Sequence, residues 1–269
     1  MKKKLRSKNK FIPVNVPRIF KDEKSNVKDC LDTGWISSEG SYVKKFESKF
    51  GKYNKRRYAI AVSSGTAALE IAIKSLNLKK GDEVIIPTFS IISTALCVIK
   101  FGLKPVLVDS NLSTWNMDVD EVIKKITTRT KAIIVTHIYG FPVDMSKILK
   151  IARKKRIRIV EDAAEMIGQT YYNKKCGSFG DISIFSFNSN KIVTSSGGGM
   201  LLTDQKDYAQ KALYYATQAK DPGVNLTHRE VGFNYRMSHI NAAVGNRQFQ
   251  SLQSRIQSRR SNHDRDEGK

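Results

Sequence analysis

The sequence predicts an α/β fold built on a mostly parallel sheet, and three observations carry that expectation. Short β-branched runs recur along most of the chain, and segments with helical apolar spacing separate them. Most of the runs are nearly continuously apolar, as in strands covered on both faces. The polar residues with chemistry to offer collect at or just after the ends of these runs, where open α/β sheets gather their ligands.

In chain order, a strand is expected over 58–62, and Ser63-Ser-Gly-Thr66 turns it into a helical pattern over 66–76. A strand at 83–86 leads to a helix over 91–101, which Gly102 stops. After a strand at 105–109, Asp118 supplies an N-cap for a helix over 118–126. Strand 132–137, helix 144–154 and strand 157–161 follow, then strands 182–187 and 200–203 and a helix over 205–217. The alternation calls for parallel pairing through crossover helices. Residues 1–51 form an N-terminal arm with helix-like stretches and no strand, expected to pack outside the sheet or against a partner. Residues 52–237 form the sheet domain. Residues 238–269 hold a helix with Ile240, Ala243, Val244, Phe249, Leu252 and Ile256 at helical spacing, then a polar tail from Ser258 that reads as disordered.

With 269 residues and 40% hydrophobic content the chain is long enough for a sizeable core, and no apolar run is long enough to span a membrane. The basic start at Met1-Lys-Lys-Lys is not followed by an apolar stretch, so it does not read as a secretion signal. The three cysteines, Cys30, Cys97 and Cys176, are far apart and give neither a disulfide framework nor metal-ligand spacing, which fits a reducing cytoplasm. A formal charge of +22 gathers at Lys2 to Lys10, at Arg153 to Arg158 and at Arg255 to Arg260. No nucleic-acid-binding motif or interleaved aromatic accompanies these clusters, so lysine-rich solvated helix faces explain them better than nucleic acid does. Such a surface also suits a polyanionic small molecule such as a nucleotide-sugar.

Three signals stand out together. Ser64, Gly65 and Thr66 open a helix directly after a strand, which reads either as an anion cup or as an ordinary capped helix. Asp162 ends the apolar run Ile157-Arg-Ile-Val-Glu-Asp162, and reads either as the N-cap of a following helix or as the partner of a buried cation. Lys191 lies between the apolar strand 182–187 and the glycine run 197–199, with Ser186 five residues before it. Alone it is one of 47 basic residues. A Schiff-base amine, a carboxylate for a ring nitrogen and a phosphate cup are what a chain needs to hold pyridoxal 5′-phosphate. His137, at a strand end, reads as a satisfied core histidine or a ligand contact, and Asn234 as a loop asparagine.

These segments resemble the DegT/DnrJ/StrS family of sugar aminotransferases. The matching stretches are Ser63-Ser-Gly-Thr-Ala-Ala-Leu69, Gly81-Asp-Glu-Val-Ile-Ile-Pro-Thr-Phe-Ser90, Thr114-Trp-Asn-Met-Asp118, Val160-Glu-Asp-Ala-Ala-Glu165, Gly177-Ser-Phe-Gly-Asp181, Phe185-Ser-Phe187 with Lys191, and Asn234-Tyr-Arg-Met237. They run in family order from about Phe11 to about Phe249. Thr114-Trp-Asn-Met and His137-Ile-Tyr-Gly-Phe-Pro-Val-Asp144 look nearest to a perosamine-type branch that aminates a GDP-linked 4-keto-6-deoxymannose for O-antigen and related glycans. The resemblance implies the large domain of the type I, aspartate-aminotransferase-like fold with a seven-stranded sheet. It makes Lys191 the Schiff-base lysine and acid/base, pairs Asp162 with the pyridinium, and puts Glu165 near the ring hydroxyl. It implies Ala164 packed on one ring face, the aliphatic Ile91 where relatives often carry an aromatic, and Ser64, Gly65, Thr66 and Ser186 on the phosphate. Asn234 would reach the cofactor phosphate of a neighbouring subunit in a homodimer, with glutamate as amino donor. Lysine at 191 separates the chain from the family's dehydratases, which carry histidine there. Ser196 and Gly197 replace the usual Gly-Glu of perosamine-type relatives, and the residues given stop at the helix that leads into the relatives' smaller C-terminal domain.

Overall fold

The structure is a computed structural model and describes residues 16–223 and 227–266. The basic cluster at Lys2 to Lys10 and the last three residues of the expected tail lie outside the described residues. Seven strands form one sheet: β1 (Tyr58–Val62), β2 (Glu83–Pro87), β3 (Lys104–Val108), β4 (Thr130–Thr136), β5 (Arg158–Asp162), β8 (Ile182–Ser186) and β9 (Gly199–Thr203), in the order β1-β9-β8-β5-β4-β2-β3. Pairing is parallel from β3 through β2, β4 and β5 to β8, and β9 runs antiparallel to both β8 and β1. The sheet is therefore mostly parallel, as the continuous apolar runs predict. A two-residue-strand hairpin, β6 (Thr170–Tyr171) with β7 (Lys174–Lys175), was not expected from the pattern. Its turn residues Tyr172 and Asn173 both take positive φ, 44° and 61°, the geometry that suits a tight hairpin.

Side chains alternate across the sheet and build cores on both faces. Ile60, Ile134, Ile184 and Leu201 point to one side, where α3 (Gly65–Ser75), α4 (Ser93–Lys100) and α7 (Lys206–Ala216) cover them. Ala61, Phe185, Met200 and Leu202 face the other side, as do Ile133 and Val135 further along the sheet. That second face is covered by α2 (Ser41–Tyr53), α5 (Val119–Lys125), α6 (Met145–Lys155) and α8 (His239–Gln250). Asp118 caps α5 by accepting from the amides of Asp120 at 2.8 Å and Glu121 at 3.1 Å.

One expectation is sharpened and one corrected. Helix α2 packs outside the sheet, and it does so as part of the core: Phe46 and Phe50 are fully buried against Phe185 and Phe187 at ring separations of 4.8 Å. Its apolar stripe at Val43, Phe46 and Phe50 follows helical spacing and lies over the sheet face it shares with α8. With α1 (Lys21–Thr33) it also packs on α8, where the buried Glu23 accepts from Gln248 at 2.9 Å. The polar tail is helical rather than irregular as far as it is described, because α9 spans Leu252–Asp266. Leu252 is buried at its start, and polar side chains bond along it, as in the 3.3 Å contact from Arg265 to Ser261. The basic run from Arg153 sits in the last turn of α6, where cations favour the helix dipole.

Candidate active site

The carboxyl ends of β1, β2, β4, β5 and β8 surround a cavity of about 540 Å³, and the residues singled out from the sequence meet there. Ser64, Gly65, Thr66, Ile91, Asp162, Ala164, Glu165, Ser186 and Lys191 all line it. Asn234 does not; it is exposed, in an isolated bridge with Thr217.

The turn after β1 is built for close approach. Ser64 is the N-cap of α3, extended at φ −165°, and its hydroxyl accepts from the Ala67 amide at 3.0 Å. The Ser64 side chain therefore works first as a cap, leaving first-turn amides of α3 for an anion. A Cβ on Gly65 would lie 2.9 Å from the Cβ of Ser186, so glycine is what lets the helix start reach the end of β8. The Thr66 hydroxyl meets that of Ser93, in the first turn of α4, at 2.9 Å. Ser93 lines the same cavity and was not anticipated; its only signal is a serine two residues past Ile91 at a helix start. Helix α4 begins two residues later than expected, so Ile91 and Ile92 remain in the loop, two-thirds exposed.

Asp162 closes β5 with its side chain almost completely buried. No helix follows it; its carboxylate accepts from the Ala164 amide at 3.1 Å within a turn. Burial pushes this carboxyl up to about 6, against the opposing pull of the Ala164 amide, His137 and Lys191. A cation at the carboxylate would restore the charged form. Lys191 reaches the cavity from the turn after β8, its ammonium 3.1 Å from Glu165 Oε1. The second Glu165 oxygen accepts from the Tyr139 amide at 2.9 Å. Behind the lysine, the Gly197 carbonyl accepts from Asn241 at 3.0 Å and Ser196 takes a φ of 71°, so the serine-glycine replacement is held by α8.

His137 has no exposure, and both ring nitrogens are used. Its Nδ1 accepts from the Val143 amide at 3.1 Å, and its Nε2 donates to Glu161 at 3.2 Å. The core-histidine reading holds for its ring. Glu161, which carries no site signal of its own in the sequence, also accepts from the amides of Gly177, Phe179 and Gly180 and from the Ser183 hydroxyl. Burial would raise its carboxyl, but these donors together hold it below the ordinary value.

A parallel sheet with an amine, a buried carboxylate and a helix-start cup in one cavity at its carboxyl edge defines a pyridoxal-phosphate enzyme of the type I fold. The chain belongs to the DegT/DnrJ/EryC1/StrS aminotransferase family, whose model matches residues 17–266. It is 41% identical over 251 residues to a GDP-perosamine synthase of Escherichia coli O157:H7, covering 93% of this chain and 69% of that one. A GDP-perosamine synthase of Caulobacter vibrioides is 42% identical, with coverages of 92% and 67%. A putative sugar aminotransferase from Streptococcus pneumoniae, solved in its PLP form, superposes with a TM-score of 0.89 at 28% identity, over 94% of this chain and 70% of that one. The chain thus spans about two thirds of the length of these relatives.

The side chains fit the cofactor. Asp162 presents a buried carboxylate, Lys191 an amine and the α3 start its first-turn amides to the same cavity. Ala164 is small enough to leave one face of a ring open, and Ile91 supplies an apolar contact at the mouth.

Proposed function

We propose that this chain moves an amino group, with glutamate as donor, onto a nucleotide-linked 4-keto-6-deoxy sugar of the perosamine type, for surface-glycan synthesis in the cytoplasm. The observation that carries the reading is the convergence of Lys191, Asp162 and the Ser64–Thr66 turn on one cavity. The names of the 41–42% identical relatives give the sugar. Three buried free cysteines suit a reducing compartment.

When bound, the cofactor supplies the electron sink that lets a C–H proton leave beside nitrogen. Asp162 would hold the ring nitrogen protonated. The amides at the start of α3, with Thr66 and Ser186, would hold the phosphate. Lys191 would anchor the group and supply, at Nζ, the amine that takes up and gives back a proton. Leu69 and Ile184 help keep the inner wall apolar, which strengthens each charge contact.

The proposed assembly is a homodimer in which Asn234 enters the neighbouring site. Ile92, Leu96 and Ile99 form an exposed apolar stripe along α4, beside the cavity mouth, which suits a protein partner. Phe233 and Tyr235 stack against each other at 4.8 Å and bond the Asn234 segment to α3 and α7 through Glu70 and the Tyr215 carbonyl. Asn234 is left facing outward.

Purified protein given pyridoxal 5′-phosphate is expected to be yellow, and Lys191→Ala to lose that band. A colourless wild type sinks the reading. A yellow protein that glutamate does not bleach binds the cofactor without transfer, the second reading for a chain spanning two thirds of its relatives. Salt-sensitive binding of DNA or RNA would instead favour a nucleic-acid partner.

A further inference from the structure

Glu165 is held in an unusual way. Tyr139 takes a φ of 48°, in the left-handed region that a tyrosine enters only at a cost. That bend aims its amide at Glu165 Oε2, at 2.9 Å. The other oxygen is thereby turned to the Lys191 ammonium, 3.1 Å away. The Glu165 side chain is about one-third exposed and the Lys191 side chain 16% exposed, so water reaches the carboxylate more readily than the amine. Among the described residues that line the cavity, the other carboxylate is Asp162, which is buried and accepts from the Ala164 amide.

An ammonium has no lone pair, so Lys191 cannot bond to an aldehyde until a proton leaves its nitrogen. We propose that Glu165 is the proton acceptor that activates Lys191 for covalent capture of the cofactor, an inference that rests on the cofactor reading above. In the step, one proton passes from Lys191 Nζ to Glu165 Oε1, and the freed lone pair forms a C–N bond to the aldehyde carbon. Glu165 returns that proton to the aldehyde oxygen. A second nitrogen proton follows the same route, the C–O bond breaks and water leaves. The third proton remains on the nitrogen of the new C=N bond, so atoms and charge balance without an added oxidant or reductant. Glu165 ends, as it began, a carboxylate.

The test separates binding from bond formation. Pyridoxamine 5′-phosphate has no aldehyde and reports the non-covalent fit; pyridoxal 5′-phosphate reports the covalent step through its absorbance change in stopped flow. Glu165→Gln keeps the shape and the Tyr139 contact but cannot accept a proton. Its affinity for pyridoxamine 5′-phosphate is expected to stay within about threefold of wild type, while covalent capture slows by about 100-fold or more, the usual worth of a positioned base. Glu165→Ala is expected to be slow as well and to regain rate with added formate, which supplies a carboxylate in the space left. Equal capture rates in wild type and Glu165→Gln overturn the proposal. So does a deficit confined to pyridoxamine 5′-phosphate affinity, or an Ala variant whose slow rate formate leaves unchanged. If wild type binds neither compound, the cofactor reading itself fails instead.

Discussion

Asp162 shows at the scale of one residue how a site stores a demand for its ligand. Its carboxyl stands at about 6 when folded, against an ordinary 3.8, because burial penalises the charge. The folded state therefore binds the proton more tightly than the unfolded chain. This group's favourable contribution is complete below about pH 4 and is lost as pH rises through 6. The cofactor-free Asp162→Asn variant is expected to match wild type at pH 4 and to exceed it at pH 7.5 by roughly 2–3 kcal/mol in urea denaturation. Loading pyridoxal 5′-phosphate should reverse the order, since the charged carboxylate then has a pyridinium partner. Gly65→Ala places a Cβ 2.9 Å from Ser186 and should cost about 1–3 kcal/mol of stability, with a matching loss of cofactor affinity in equilibrium dialysis. Lys191, Asp162 and Gly65 were legible because their types and order match one chemistry. Ser93 and the Tyr139 amide were not, since no glycine turn directly after a strand marks Ser93 and a backbone N–H carries no sequence signature.

Among the elements, β5 and the loop that returns to β8 decide where Asp162 sits. Glu161, one residue earlier on the opposite face, gathers the amides of Gly177, Phe179 and Gly180 and so pins that loop to the strand. Arg56 grips the same loop from the other side through the carbonyls of Ser178 and Gly180. Glu161→Leu keeps the volume but leaves the amides and the His137 ring unpaired, and should cost about 3–5 kcal/mol by chemical denaturation. An unchanged midpoint would show that the loop does not need this anchor. Most strands of the sheet could be read in advance because strands covered on both faces must be apolar throughout, whereas β3, at the sheet edge, is partly exposed. The hairpin of β6 and β7 could not, since its strands are two residues long. Helix α2 could be recognised as helical, but nothing local told that its phenylalanines would meet those of β8 and its neighbouring loop, more than a hundred residues away.

At the scale of the whole molecule, the stripe on α4 is an exposed apolar surface. Ile99 is 56% exposed and Leu96 52% exposed, one turn apart on the same face as Ile92. In the proposed homodimer, Leu96→Asp combined with Ile99→Asp should yield a monomer by light scattering with an unchanged circular dichroism spectrum. Its cofactor affinity should fall, because Asn234 no longer reaches a neighbouring site. A wild-type chain that is already monomeric at micromolar concentration would remove the shared-site assembly. The excess of positive charge does not mark a single binding face where it is described: the run from Arg153 caps the end of α6, and Arg56 and Arg158 are paired with Asp204 and Asp181.

The sequence by itself determined the sheet, its parallel character and the kind of chemistry, because apolar periodicity and the side-chain inventory are local properties. Only the tertiary structure decided which oxygen of Glu165 faces Lys191, that the Asp162 carboxyl is buried, and that α2 belongs to the core. These depend on distances between strands and helices far apart in the chain, and the backbone fixes those distances only when the whole sheet has formed.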